Sequence, residues 1–153
     1  MKPHPRILAL PLLLSLALPA RAAEVDELIT SNTTITAINV TPSPSVTYRI
    51  ASGGTLFVEG SKTGSGNGGT YYMNTGGLVK IGPDTPGGDG MVVFQNNNTA
   101  NGGVIYIGTS GTLMLENALF RSNTVATTAA GVFLNANGGL ITLKNVVFER
   151  NVA

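Results

Sequence analysis

The run Gly111-Thr112-Leu113-Met114-Leu115-Glu116-Asn117-Ala118-Leu119-Phe120-Arg121-Ser122-Asn123 is echoed by Gly139-Leu140-Ile141-Thr142-Leu143-Lys144-Asn145-Val146-Val147-Phe148-Glu149-Arg150-Asn151, 28 positions later and without a gap. Upstream, Gly103-Val104-Ile105-Tyr106 stands over Gly131-Val132-Phe133-Leu134 at the same offset. A fixed period of this length marks a repeat architecture, in which each unit buries its apolar face only against its neighbours. Within one unit, Gly103–Ile107, Thr112–Glu116 and Ala118–Phe120 are short β-prone runs separated by Gly or Asn. Three short strands per 28 residues describe one turn of a three-faced coil whose turns stack ~4.8 Å apart in parallel pairing. The predicted fold is all-β: a right-handed parallel β-helix of about four rungs over residues 50–153.

Fainter copies extend the pattern. Gly54-Thr55-Leu56-Phe57-Val58-Glu59 matches Gly111 to Glu116, and Gly76-Gly77-Leu78-Val79-Lys80-Ile81 matches Gly138 to Leu143. Their spacing is irregular, which predicts insertions at Gly60 to Gly69 and Gly82 to Gly90. Residues 23–49 are expected to be an N-terminal segment, irregular or acting as a cap.

Strand alternation assigns the side chains. Leu113, Leu115, Ile141, Leu143, Phe120 and Phe148 are expected inside, the two rings stacked, while Met114, Glu116, Thr142 and Lys144 face water. Leu119 and Val147 break the alternation and are left unplaced. Glu116 over Lys144, and Arg121 over Glu149, are opposite charges one rung apart. Asn117 over Asn145, and Asn123 over Asn151, are expected to form amide ladders at the corners.

The N-terminus reads as an export signal. Lys2 and Arg6 precede an apolar run from Ile7 to Leu18, and Ala20-Arg21-Ala22 supplies the small residues of a cleavage site after Ala22. The run is too short for membrane insertion by this segment. The whole chain has 153 residues and a formal net charge of +1. Removal of residues 1–22 takes away Lys2, Arg6, Arg21 and the only histidine, His4. It leaves six basic and eight acidic residues, a net charge of −2, with no Cys and no Trp. No basic patch remains for nucleic acid. The missing His and Cys exclude a nucleophile triad or a zinc centre, so no enzyme activity and no cofactor are expected.

The other chemistry-bearing residues read as structural. Asp84 and Asp89 lie in the turn-forming loop Gly82-Pro83-Asp84-Thr85-Pro86-Gly87-Gly88-Asp89-Gly90, where calcium binding or paired-carboxylate catalysis are the sharper alternatives. Arg49, Lys62 and Lys80 are scattered rather than clustered. Alternation places one ring of Tyr71-Tyr72 inward and one outward, and Gly102-Gly103 reads as a rung corner. Asn32-Thr33-Thr34, Asn39-Val40-Thr41 and Asn97-Asn98-Thr99 have the form of N-glycosylation acceptors, as expected by chance in an Asn- and Thr-rich chain.

Phe94-Gln95-Asn96-Asn97, Phe120-Arg121-Ser122-Asn123 and Phe148-Glu149-Arg150-Asn151 fit an FxxN repeat. Gly102-Gly103-Val104-Ile105 and Ala130-Gly131-Val132-Phe133 look like its GGA[ILV] partner, with Val at the third position. Over residues 50–153 the chain therefore resembles the polymorphic outer membrane proteins of chlamydiae and similar autotransporter passengers. The resemblance implies a β-helical passenger shown at the cell surface or released outside it, an adhesin-like part of an autotransporter that binds a host or cell-surface protein or glycan. Two other functions fit the residues: a carbohydrate-active β-helix with its catalytic rungs outside this chain, and a structural spacer. The repeat stops after Asn151 without a polar terminal unit, so the chain is expected to be truncated at that end and to self-associate through an open last rung.

Overall fold

A computed structural model describes residues 25–36, 38–40, 45–62, 71–75, 77–99, 103–125 and 132–152. Residues 1–24, which include the signal segment and its cleavage site, lie outside the described residues. The first rung holds β1 (Val25–Ile29), β2 (Thr33–Ile35) and β3 (Ile38–Val40). The second holds β4 (Val46–Ile50), β5 (Thr55–Val58), β6 (Ser61–Lys62) and β7 (Tyr71–Thr75). The third follows with β8 (Leu78–Pro83), β9 (Met91–Gln95), β10 (Asn98–Thr99) and β11 (Ile105–Thr109). The fourth has β12 (Thr112–Arg121), β13 (Thr124–Val125) and β14 (Phe133–Asn137), and β15 (Leu140–Glu149) begins a fifth.

Every strand pair is parallel and joins equivalent strands of successive rungs. The strands β1-β4-β8-β12-β15 line one face, and β2-β5-β9 continue into the second halves of β12 and β15 on the next. Two further sheets, β6-β10-β13 and β3-β7-β11-β14, close the cross-section. The described chain is all-β and stacks in the manner of a solenoid.

The register explains the irregular spacing. Val25 pairs Val46, Val46 pairs Val79, Val79 pairs Leu113, and Leu113 pairs Ile141, giving offsets of 21, 33, 34 and 28 residues. The 28-residue spacing thus belongs to the last pair of rungs alone; loops lengthen the two middle spacings, and the first is shorter. The expected insertion at Gly82 to Gly90 is a corner loop that leaves the strand after Pro83. Most of the expected insertion at Gly60 to Gly69 lies outside the described residues. The rungs also start earlier than expected. Residues 25–49 carry strands in register, because Val25 and Ile29 stack on Val46 and Ile50 even though Asp26 and Glu27 mask the apolar pattern.

The interior is a set of apolar rows. Val46, Val79 and Leu113 form one, and Leu56, Val92 and Ala118 another, all buried. Phe94 and Phe120 stack with centroids 4.5 Å apart and 2° between planes, and Phe148 follows at 5.2 Å and 16°. Phe120 is 0% exposed but Phe148 is 47% exposed, and Leu143 is 41% exposed. These two residues were expected inside. Their side chains do point inward, but β15 is paired on one edge only among the described residues, so nothing covers them from the other side. Ile141 is partly buried.

Leu119 and Val147 are now placed. Asn117 and Asn145 adopt left-handed φ values of 54°, a conformation Asn tolerates better than most L-residues. Each is an unpaired corner inside a long strand that resets the alternation. Leu115, Ala118 and Phe120 therefore all point inward while Leu119 is partly exposed and Val147 is 56% exposed.

Both expected amide ladders form. Asn123 Nδ2 donates to Phe94 O (3.0 Å) and to Asn151 Oδ1 (2.8 Å), while its Oδ1 accepts from Asn97 N (3.1 Å) and Nδ2 (2.7 Å). Asn97 Nδ2 also reaches Val58 O (3.1 Å), Asn97 Oδ1 accepts from Gly60 N (2.6 Å), and Asn151 Nδ2 reaches Phe120 O (2.9 Å). The FxxN spacing follows from this geometry: the Asn of one rung holds the Phe carbonyl of the rung before it. At the other corner Asn145 Nδ2 donates to Asn117 Oδ1 (3.1 Å) and Asn117 Nδ2 to Gly88 O (2.8 Å).

Of the two expected charge pairs, Lys144 meets Glu116 at 2.6 Å. Arg121 stands beside Glu149 in register but turns the other way, donating from Nε to Gln95 Oε1 (2.7 Å); Gln95 in turn donates to Glu59. The partly buried carboxamide offers the guanidinium a better-shielded acceptor than the exposed Glu149.

The two rings test the burial assignment. Phe120→Ala is expected to cost about 3–5 kcal/mol, as for a fully buried aromatic, and Phe148→Ala clearly less. Urea denaturation of both variants measures this; equal losses would contradict the placement of Phe148 on an uncovered rung.

Candidate binding surface

The outer side of the first face carries the described residues best arranged for chemistry. Its rows are read from the register. Thr47, Lys80, Met114 and Thr142 form one, and Arg49, Gly82, Glu116 and Lys144 the next. Gly82 has no side chain to fill its place, and a Cβ there would lie 3.1 Å from Glu116 Cβ. The loop after β8 rises beside this notch, stiffened by Pro83 and Pro86. The result is a groove of about 220 Å³ lined by Lys80, Gly82, Pro83, Asp84, Pro86, Met114, Glu116, Thr142 and Lys144, above buried Ile81 and Leu115.

Ion pairs fix its walls. Arg49 donates through Nε to Asp26 (2.9 Å) and through Nη1 to Asp84 (2.6 Å), tying three successive rungs together. Hydrogen bonds to these two carboxylates, the Asp26 one first, hold the guanidinium even more firmly protonated than usual. Asp89 lies across the loop, and its Oδ1 accepts from Gly53 N at 3.1 Å. The Ser52 hydroxyl and that backbone N–H stabilise its ionised form and lower its pKa. The phenol of Tyr48, half-buried on an inner row, is pushed up by burial and by the Glu27 carboxylate.

Asp84 and Asp89 do not converge on a common point: one is committed to Arg49, the other to the turn at Ser52-Gly53. Among the described residues no three His, Cys, Asp or Glu side chains gather as metal ligands. Arg49 and Lys80 sit in neighbouring rows on adjacent rungs, closer than their sequence spacing suggests. The side chains of Lys62, Tyr71 and Tyr72 lie outside the described residues, as does Gly102; Gly103 precedes β11 with a left-handed φ of 72°. Of the three glycosylation-type sites, Asn32 is exposed, Asn39 has its side chain outside the described residues, and Asn97 is 1% exposed with its amide donors committed to the ladder.

Sequence reasoning missed the groove. Its signal was Gly82, which falls opposite Glu116 only once the 34-residue offset of that rung is known.

A second outer feature is apolar. Phe57, Val93, Leu119 and Val147 stand in one row on the second face, with Val93 buried, and Leu119 and Val147 join Met91, Asp89, Asn117 and Asn145 around a shallow depression.

The Asp89 contacts predict a pH dependence. A carboxyl whose pKa is lowered on folding adds stability above its unfolded value and loses it as pH falls through its folded value. Asp89→Ala should therefore melt below the parent chain at neutral pH, with the gap closing under strong acid. Thermal melts across that range measure it; a gap unchanged by pH would show that the contact is not electrostatic.

Comparison with protein families, curated proteins and solved structures finds no match to this chain.

Proposed function

We propose that this chain is an exported, right-handed parallel β-helix that works by binding at the cell surface or outside the cell, as an adhesin-like passenger of the polymorphic outer membrane protein and autotransporter type. Residues 1–22 direct export and are removed after Ala22. The observation that carries the reading is the use made of the FxxN repeats. Each Phe joins the interior stack and each Asn joins the amide ladder, so the motif builds the coil and leaves its outer rows free to vary. Binding is favoured over catalysis because the loop carboxylates are spent on Arg49 and on the Ser52-Gly53 turn. The partner is a host or cell-surface protein or glycan.

The test expresses the full chain in a Gram-negative host, sequences the N-terminus of the exported form, and measures attachment of beads coated with it to cultured cells. The expected result is export, a new N-terminus at Ala23 and saturable attachment. Retention inside the cell, or an exported protein whose beads attach no better than albumin-coated ones, would overturn the reading.

A further inference from the structure

The groove on the first face has a charge pattern that selects a ligand. Glu116 and Lys144 neutralise each other at 2.6 Å, and Arg49 is shared by Asp84 at 2.6 Å and Asp26 at 2.9 Å. Lys80 is exposed and takes part in none of the ion pairs among the described residues. Lys80 is therefore the lining cation left to meet an incoming anion. Along the row from Lys80, Met114 follows one rung on and Thr142 two rungs on, so cation, thioether and hydroxyl succeed one another at ~4.8 Å steps. Met114 is 38% exposed, and with Pro83 and Pro86 it gives the groove an apolar lining.

We propose that this groove binds an acidic glycan: a short run of sugar rings carrying a carboxylate. The carboxylate meets Lys80 Nζ. The C–H face of a ring lies on Met114 and the prolines, and the ring hydroxyls meet Thr142 and the polar Glu116–Lys144 rim. The spacing of the row is of the order of one sugar ring per rung. An acidic peptide fits worse. The groove lies on a sheet face whose backbone groups are already used in pairing between rungs, so a peptide main chain would lose its water and gain no ladder. The rigidity of the site comes from the paired strands and the Arg49–Asp84 anchor, so little ordering is needed on binding. Its volume of about 220 Å³ is below the usual ~300–1,000 Å³ of small-molecule pockets, which makes each contact weak. This proposal rests on the binding reading above and names its ligand class.

Methionine methyl groups report on it directly. Met114 lies in the groove and Met91 on a different face, so one methyl is the probe and the other an internal control. The experiment titrates the chain, labelled at its methionine methyls, with trigalacturonate, with neutral maltotriose and with hexaglutamate. Trigalacturonate is expected to shift the Met114 signal and leave Met91 in place, with little response to the other two. Lys80→Gln should weaken the response about three- to five-fold, as for loss of one exposed charge contact, while Arg150→Gln, outside the groove, leaves it unchanged. No Met114 shift, an equal shift with hexaglutamate, or indifference to Lys80→Gln would each overturn the proposal. The assay needs no export and no cells. A chain that attaches to cells but ignores trigalacturonate therefore refutes the glycan alone, and one that binds it yet is not exported refutes the surface reading alone.

Discussion

The carboxamide of Asn123 sits between two rungs with every hydrogen-bonding position used. Its oxygen accepts from the backbone and side chain of Asn97, and its nitrogen donates to Phe94 O and Asn151 Oδ1. It is 1% exposed, so each of these bonds replaces water that is absent there. A buried amide left unpaired would cost about 1–3 kcal/mol per group, whereas a slip in stacking would unpair several at once. Apolar rows alone tolerate some sliding, because one aliphatic side chain covers another almost as well as its neighbour does. The amide ladder does not, and it fixes which residue of each rung lies over which. The left-handed residues Asn96, Ser122 and Arg150 precede the three ladder amides and turn the chain so that each amide points along the stack.

With register fixed at this corner, the opposite one is free to vary. One residue, Asn117 or Asn145, makes the turn in the later rungs, whereas a loop running from Asp84 to Gly90 makes it in the third. Each rung touches only its neighbours, so an insertion at a corner leaves the ladders intact. The loop is nonetheless tied back: Asp84 to Arg49, Asp89 to Gly53, and the carbonyl of Gly88 to Asn117. These ties make a rigid wall, and the missing side chain of Gly82 makes the space beside it. The groove is thus a product of the same irregularity that blurs the repeat.

The sequence made the coil legible wherever rungs are of equal length. The rows through Leu113, Phe120 and Asn123 follow from a gapless 28-residue match, and the structure places them in register with Ile141, Phe148 and Asn151. Four things were not legible. Leu119 could not be placed because the parity change depends on the φ of Asn117, a backbone property that alternation does not reveal. The first rung was hidden because Asp26 and Glu27 interrupt an apolar pattern only five residues long. Arg121 was assigned to Glu149 on charge alone, but a side chain of that length also reaches the rung before it, where Gln95 is better shielded. The groove needed three-dimensional register, since Lys80, Gly82, Glu116 and Lys144 belong to three rungs of different spacing.

The central claim is that the buried amide ladder, more than the apolar rows, specifies the stack. Asn123→Leu tests it most directly, because leucine is similar in size and fills the site without offering a hydrogen bond. Urea denaturation should show a loss of roughly 3 kcal/mol or more, since the backbone N–H and side-chain amide of Asn97 and the carbonyl of Phe94 all lose a partner. A change within about 0.5 kcal/mol of the parent chain, the range of an ordinary surface substitution, would contradict the account and leave the register to the apolar rows alone.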